Sequence, residues 1–327
     1  MTVCIIGGSG FIGSCLTKDL HTRGEKIRVI DISSPRAASV GLDVEYRQAD
    51  VRDVASLIPA MGCCEAVVNL AAVHRDDVKP RRLYDEVNVE GARNVCEAAE
   101  ANGIGTIVFT SSVAVYGSAP ENADEAQPHQ PSNDYGRTKS EAEQVYIAWQ
   151  RRDPEARCLV IVRPTVVFGP GNRGNVYTLI SQVAAGRFLM VGSGKNRKSM
   201  AYVDNVSSFI VHLLRSGPGT HIYNYVDKPD LSMGELVAIV RSALAMKPGV
   251  PIRVPYWLAV ALGCCCDAFA ALTQKLLPVS RIRVEKFCAN TVFSAEKAIR
   301  QAGFVPGVSL EAGLKRTIVA DFDLSSG

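Results

Sequence analysis

The sequence predicts an α/β protein: a doubly wound parallel sheet followed by a smaller C-terminal substrate-binding region. Three observations lead there. Short apolar runs alternate with amphipathic stretches through the first 165 residues, a glycine-rich turn directly follows the first run, and after Pro164 the chain becomes less regular, punctuated by Pro and Gly. Continuous apolar runs suit strands buried on both faces of a parallel sheet, and strand–helix alternation supplies the crossovers such a sheet needs.

Taken in order, Val3–Gly8, Lys26–Ile32, Val44–Asp50, Ala66–Ala71, Thr106–Ser112 and Cys158–Pro164 read as strands. Phe11–Arg23, Asn88–Asn102 and Tyr135–Arg152 carry helical patterns between them. Phe168–Asn175 (FGPGNRGN) is a glycine-rich loop at the start of the less regular half.

Composition narrows the class. With 327 residues, 47% of them apolar and 21% charged, the chain has the balance of a globular protein with a sizeable core. A formal charge of +3 is too small to predict nucleic-acid binding, though it tolerates an anionic small molecule. The first residues run straight into a strand without a secretory pattern, so a cytoplasmic location is expected. None of the 10 cysteines forms a CxxC pair, and neither a metal site nor a disulfide framework is expected. Tyr256–Leu272 (YWLAVALGCCCDAFAAL) is apolar but short of a spanning helix and interrupted by Asp267. It reads as helical cover over a pocket or as a surface-seeking segment with weak membrane association.

Gly7, Gly10 and Gly13 form a GxxGxxG fingerprint with a strand before it and a helix after it. One glycine permits the tight turn, one the approach of backbone to a pyrophosphate, and one close helix–strand packing; Phe11 and Ile12 lie within the same turn. Asp31 follows at the spacing of the carboxylate that binds the adenosine ribose, which favours NAD over NADP. Arg36 nearby partly offsets that preference and keeps NADP open. The sheet is therefore of the Rossmann type: residues 1–165 bind NAD(P), and 166–327 mainly bind substrate, with about 200–225 returning to the first domain.

Thr110–Ser118 (TSSVAVYGS) and Tyr135–Lys139 (YGRTK) carry the chemistry. Residues four apart share a helix face, so Lys139 can lower the pKa of Tyr135 while Ser112, at a strand end, orients a substrate oxygen.

Together these motifs resemble the extended short-chain dehydrogenase/reductase superfamily, and in particular its nucleotide-sugar branch, over essentially the full chain. The resemblance implies Tyr135 as acid/base, Lys139 on the nicotinamide ribose and Ser112 polarising the reacting oxygen. It also places Asp50 and its neighbour Val51 beside the adenine, Leu70, Ala71 and Ala72 against the cofactor, Pro164 near the nicotinamide, and Asn88 in a structural role. On the substrate side it implies Asn175, Lys198, Arg281 and Arg283 near the diphosphate, with His74 on the pocket wall. Relatives commonly dimerise through the helices that correspond to Asn88–Asn102 and Tyr135–Arg152, so a homodimer is expected.

Within the branch, 4,6-dehydratases carry Asp-Glu directly after the Ser/Thr, where this chain has Val113 and Ala114, so elimination lacks its acid and base. Epimerases of nucleotide hexoses usually show R-x-F-N where this chain has Arg163, Pro164, Thr165 and Val166. That departure favours reduction of a nucleotide-linked 4-keto-6-deoxy sugar, as in surface-polysaccharide biosynthesis, over C4 epimerisation of a UDP-hexose, the alternative that the Asp31 preference for NAD supports. A hydroxysteroid- or lipid-directed dehydrogenase and a non-enzymatic dinucleotide-binding regulator are further readings. The apolar Tyr256–Leu272 segment motivates the first; retention of Tyr135 and Lys139 disfavours the second.

Overall fold

A computed structural model of the chain describes residues 1–34, 41–75, 77–246, 252–273 and 280–322; Arg36 lies outside the described residues. The chain begins β1 (Thr2–Ile6), α1 (Phe11–Thr22), β2 (Lys26–Asp31), β3 (Glu45–Gln48), α2 (Val54–Ala60) and β4 (Ala66–Asn69). It continues through α3 (Arg82–Tyr84), a π-helical turn (Asp85–Glu90), α4 (Gly91–Ala101), β5 (Thr106–Thr110), a 3₁₀ turn (Val113–Tyr116), α5 (Asp134–Arg151) and β6 (Cys158–Pro164). The later elements are β7 (Val166–Phe168), α6 (Asn175–Ala184), β8 (Met190–Val191), β9 (Arg197–Tyr202), α7 (Val203–Leu213), β10 (Gly219–Tyr225) and β11 (Asp227–Ser232). Last come α8 (Met233–Ala243), β12 (Arg253–Val254), α9 (Tyr256–Thr273), α10 (Arg281–Cys288), α11 (Glu296–Arg300) and α12 (Leu310–Asp321).

The chain divides into two compact units. The first comprises Met1–Val167, Ala201–Asp227 and Phe293–Val308; the second comprises Phe168–Met200, Lys228–Val292 and Ser309–Gly327.

The first unit is built on a seven-stranded sheet in the order β10-β6-β5-β4-β1-β2-β3, whose pairings are parallel. β6 is buried at every residue, which explains its apolar run Cys158–Val162, while its charged residue Arg163 is buried as well. On one face Leu57, Val95, Ala99, Tyr146 and Trp149 from α2, α4 and α5 cover the sheet; on the other, Leu16, Leu20, Phe209, Ile210 and Leu213 from α1 and α7 do so. The strand order reverses between β1 and β4, and in such sheets a ligand crevice opens where the order reverses. The seventh strand, β10, comes from the 200–225 segment. Ala298 and Phe304 bring Phe293–Val308 into the core of the same unit.

In the second unit β8 pairs in parallel with β12, and α8 begins with a capping box in which Ser232 and Glu235 satisfy each other's backbone. Helices α9 and α10 adjoin one another, and Asp267 of α9 accepts the backbone N–H of Arg281 at the start of α10.

Candidate active site

The cofactor crevice starts at the end of β1. Gly7 has φ +76°, and a Cβ there would stand 2.8 Å from the Ala71 backbone nitrogen, so the residue beside the end of β4 has to be glycine. Gly10 is the N-cap of α1, with neither a side-chain cap nor an acidic residue in the first turn; Phe11, Ile12 and Gly13 form that turn. The uncapped helix start leaves backbone N–H groups for an anion. At the end of β2, Asp31 accepts backbone N–H bonds from Ser9 (3.0 Å) and Ser33 (2.9 Å), which hold its carboxylate at the rim of the glycine turn. A loop-stabilising role and a ribose-binding position thus coincide in one side chain.

The other cofactor residues are placed as follows. Asp50 is gripped by Arg52, whose guanidinium holds the carboxyl below its ordinary range, while Val51 is buried beneath. Leu70, Ala71 and Ala72 follow β4 and are half-buried. Asn69 accepts the Ala71 N–H (3.0 Å), and Asn88, buried in the π-helical turn, brackets Val73 with bonds of 2.8 and 3.0 Å and donates to Thr138 of α5 (2.9 Å). Asn88 therefore ties the segment after β4 to α5, the helix that carries Tyr135 and Lys139. Pro164 ends β6 and is paired with Tyr225 of β10.

Ser112 caps the 3₁₀ turn that follows β5, accepting the Ala114 N–H at 3.1 Å. The start of α5 packs tightly on that turn: a Cβ on Gly136 would come within 2.4 Å of the Ala114 carbonyl oxygen. This approach brings Tyr135 to Ser112. Burial pushes the Tyr135 hydroxyl above its ordinary pKa, and a hydrogen bond with the Ser112 side chain works against that rise. One turn along, Lys139 is fully buried; its Nζ donates to the Thr110 carbonyl at 2.7 Å and lies 4.5 Å from the centre of the Phe109 ring. Burial pulls its pKa down to about 7, with the Glu143 carboxylate opposing. Thr110 Oγ1 is buried without a hydrogen-bond partner among the described residues, a group that a bound cofactor would satisfy. The glycine turn, the open helix start, Asp31 and this orphaned hydroxyl all fit NAD.

Beneath the catalytic row lies a polar cluster that motif reading does not reach. Glu143, one turn beyond Lys139, accepts Ser111 Oγ (2.5 Å) and both Nε (2.9 Å) and a terminal nitrogen (2.5 Å) of Arg163. Arg163 also donates to Tyr116 (2.7 Å) and to His129 Nε2 (2.8 Å), and Tyr116 donates to Asn224 (2.7 Å). With Nε2 accepting, His129 donates from Nδ1 to Ser140 (2.7 Å); burial, together with Arg163, lowers its pKa against the pull of Glu143. The Tyr135–Lys139–Glu143 spacing is the one sequence signal that could have pointed here.

The expected substrate-side residues fall in both units. His74 is exposed beyond β4, and Asn175 is the exposed first residue of α6. Lys198 is engaged in structure, its Nζ donating to the carbonyls of Lys286 (3.0 Å) and Ala289 (2.6 Å) at the end of α10. Arg281 is exposed and paired with Glu285 at 2.7 Å; Arg283 is exposed on the same helix. The second unit contains a cavity of about 520 Å³ walled by Gly192, Lys195, Asn196, Tyr256, Glu285 and Cys288. Lys195 and Asn196 went unnoticed in the sequence because no motif surrounds them.

The family described as NAD dependent epimerase/dehydratase matches residues 3–225. The chain belongs to that family. It is an NAD-dependent enzyme of the extended short-chain dehydrogenase/reductase type. An Escherichia coli O157:H7 protein named N-acetyl-α-D-glucosaminyl-diphospho-ditrans,octacis-undecaprenol 4-epimerase is 45% identical over 98% of this chain and 95% of its own. A 2-alkyl-3-oxoalkanoate reductase of Stenotrophomonas maltophilia is 29% identical over 97% of this chain and 98% of its own. Among solved structures, the Thermus thermophilus UDP-glucose 4-epimerase in complex with NAD shares the fold, with a TM-score of 0.75 at 23% identity over 98% of both chains.

Proposed function

We propose that this enzyme is a 4-epimerase that inverts C4 of an N-acetylhexosamine carried on a polyprenyl diphosphate. The observation that carries this reading is the 45% identity, over nearly the whole chain, to the undecaprenol-linked 4-epimerase; the Ser112–Tyr135 hydrogen bond, with Lys139 one turn along α5 held by Thr110, supports it. The preference for a 4-ketoreductase gives way. It rested on the missing asparagine after Arg163, a single departure that weighs less than 45% identity over nearly the whole chain to the 4-epimerase. Arg163 itself serves the interior, paired with Glu143, and the Thr165 N–H is spent on the Tyr225 carbonyl at 3.1 Å.

NAD, when bound, supplies reversible hydride exchange with C4. Tyr135 takes the O4 proton as the alcohol becomes a ketone and returns it when the ketone is reduced from its other face. Ser112 hydrogen-bonds O4, and the Lys139 cation keeps the phenolate form of Tyr135 accessible. No net cofactor is used, which suits retention of NAD by Asp31.

The test is incubation of purified protein with N-acetylglucosaminyl diphosphate on a short polyprenol, without added cofactor, followed by acid release and sugar analysis. Appearance of N-acetylgalactosamine up to a fixed equilibrium ratio is expected. Conversion of UDP-N-acetylglucosamine alone would transfer the reading to a nucleotide substrate, and consumption of NADH with a 4-keto sugar would restore the reductase.

A further inference from the structure

Helix α9 reverses the usual relation between polarity and exposure. Trp257 is 70% exposed, Leu262 53% and Phe269 51%, and Leu258 and Ala261 are exposed beside them. At about 100° per residue these positions fall on one arc of the helix, about 140° wide, with no charged side chain on it. Single exposed apolar residues are ordinary, whereas a continuous apolar face over several turns marks an interaction surface. Ile252, just before β12, and Ile282 on α10 are 72% and 62% exposed and add to it. Among the described residues from 252 to 290 the charged groups are Arg253, Arg281, Arg283 and Lys286 against Asp267 and Glu285. The two acids are engaged locally, Asp267 by the Arg281 backbone and Glu285 by the Arg281 side chain. Apolar face and basic surroundings thus belong to one helix pair. No described helix is long and apolar enough to cross a membrane. The 18 residues of α9 span about 27 Å, just under a bilayer's hydrocarbon thickness, with Asp267 inside the run.

We propose that α9, flanked by the cations of α10, lies in the plane of an anionic lipid surface, its Trp257–Phe269 face buried at the headgroup–acyl boundary. Trp257 at its first turn is an aromatic type that settles at that boundary, and apolar burial plus attraction to anionic headgroups is the combination that holds such helices. Tyr256, next to Trp257 but on the opposite side of the helix, walls the 520 Å³ cavity, so the start of α9 borders both the cavity and the apolar face. The proposal deepens the epimerase reading by saying where a polyprenyl-linked substrate would be met, while its evidence is the helix pair itself.

The experiment is flotation of the full-length protein with phosphatidylcholine vesicles containing or lacking 30% phosphatidylglycerol, about a third of the lipid, as used for surface-potential effects. The wild type is expected to float with the anionic vesicles at least tenfold better than with neutral ones, on the order of what two to three surface cations supply. Trp257→Ser/Leu262→Ser/Phe269→Ser should lose that binding about tenfold or more, as removal of three inserted apolar groups predicts. Lys286→Glu should weaken the preference for anionic vesicles. Unchanged melting temperature and unchanged turnover of a water-soluble short-prenyl substrate would show both variants folded. Wild-type protein that stays with the aqueous phase overturns the proposal, as does a triple-serine variant that floats normally. A variant that turns from dimer to monomer in sedimentation, with no vesicle binding by the wild type, would assign the face to a second copy instead. Vesicle binding without epimerisation of any prenyl-linked sugar would leave the docking intact and remove the substrate reading.

Discussion

Helices α5 and α9 are each 18 residues long, and each breaks the rule of apolar inside and polar outside in the opposite direction. In α5 the buried face carries Lys139, Glu143 and Gln150 among Tyr146 and Trp149. In α9 the exposed face carries Trp257, Leu262 and Phe269. Burying an ion is costly unless partners hold it, and the ends of β5 and β6 supply them to α5: Thr110 and Phe109 for Lys139, Arg163 and Ser111 for Glu143. Exposing a continuous apolar arc is equally uncharacteristic, and among the described residues of its own unit that arc stays open to solvent. The comparison teaches that departures from the pattern can point to function in either unit: the proposed chemistry in the first and the proposed docking in the second.

The most damaging change to α5 is at the reacting hydroxyl. Tyr135→Phe should lower turnover by roughly three orders of magnitude or more, at the scale of a lost acid/base group, while NAD content measured by absorbance of the released cofactor stays at the wild-type level. Normal turnover would break the assignment of α5 as the catalytic helix.

Glu143→Ala should follow, because it leaves the Arg163 guanidinium buried without its carboxylate. A loss of about 3–5 kcal/mol in denaturant unfolding is the scale for breaking a buried pair from one side. An effect below about 1 kcal/mol would place Glu143 with the exposed pairs of the surface instead.

Lys139 makes a sharper test, since its charge is disfavoured in the folded state. Its pKa falls from an ordinary value near 10.5 to about 7, so between those values the unfolded chain binds a proton that the folded chain does not. The penalty is fully present below pH 7 and disappears as pH rises toward 10.5, making stability climb with pH by at most about 1.4 kcal/mol per unit from this group. Lys139→Met should remove that climb and raise the melting temperature of cofactor-free protein at neutral pH, while abolishing turnover. A parallel pH dependence in variant and wild type would mean that Lys139 is charged as usual.

The smallest effect is expected in α9. Trp257→Ser should alter stability by less than about 0.5 kcal/mol, as for exposed positions away from packing, in thermal unfolding without lipid. A loss of several kcal/mol would show that the tryptophan is packed, and the contrast with α5 would fail.

Much of the first unit could be read from the chain. Six strands were expected and all six are present; in the central ones burial on both faces demands apolar runs, such as Cys158–Val162 of β6, that are visible without coordinates, whereas β3 at the sheet edge is polar and largely exposed. β10 was harder to read, since its outer residues Gly219–Ile222 are partly exposed and break the run. Nothing local signals that Phe293–Val308 joins this unit; Phe304 is an ordinary apolar residue until it meets Phe209 at 5.0 Å. Helix α9 was read as an apolar stretch, but a uniform composition does not say which face is covered.

By itself the sequence determined the parallel sheet, the glycine turn and the Ser112–Tyr135–Lys139 set, because period, φ requirement and i, i+4 spacing are local and repeat on every such backbone. Only the tertiary structure decided that Glu143 meets Arg163, that Lys198 is occupied by the end of α10, and that Trp257 faces outward. Those facts depend on which distant segments fill the space around a side chain, and a linear pattern carries no record of that.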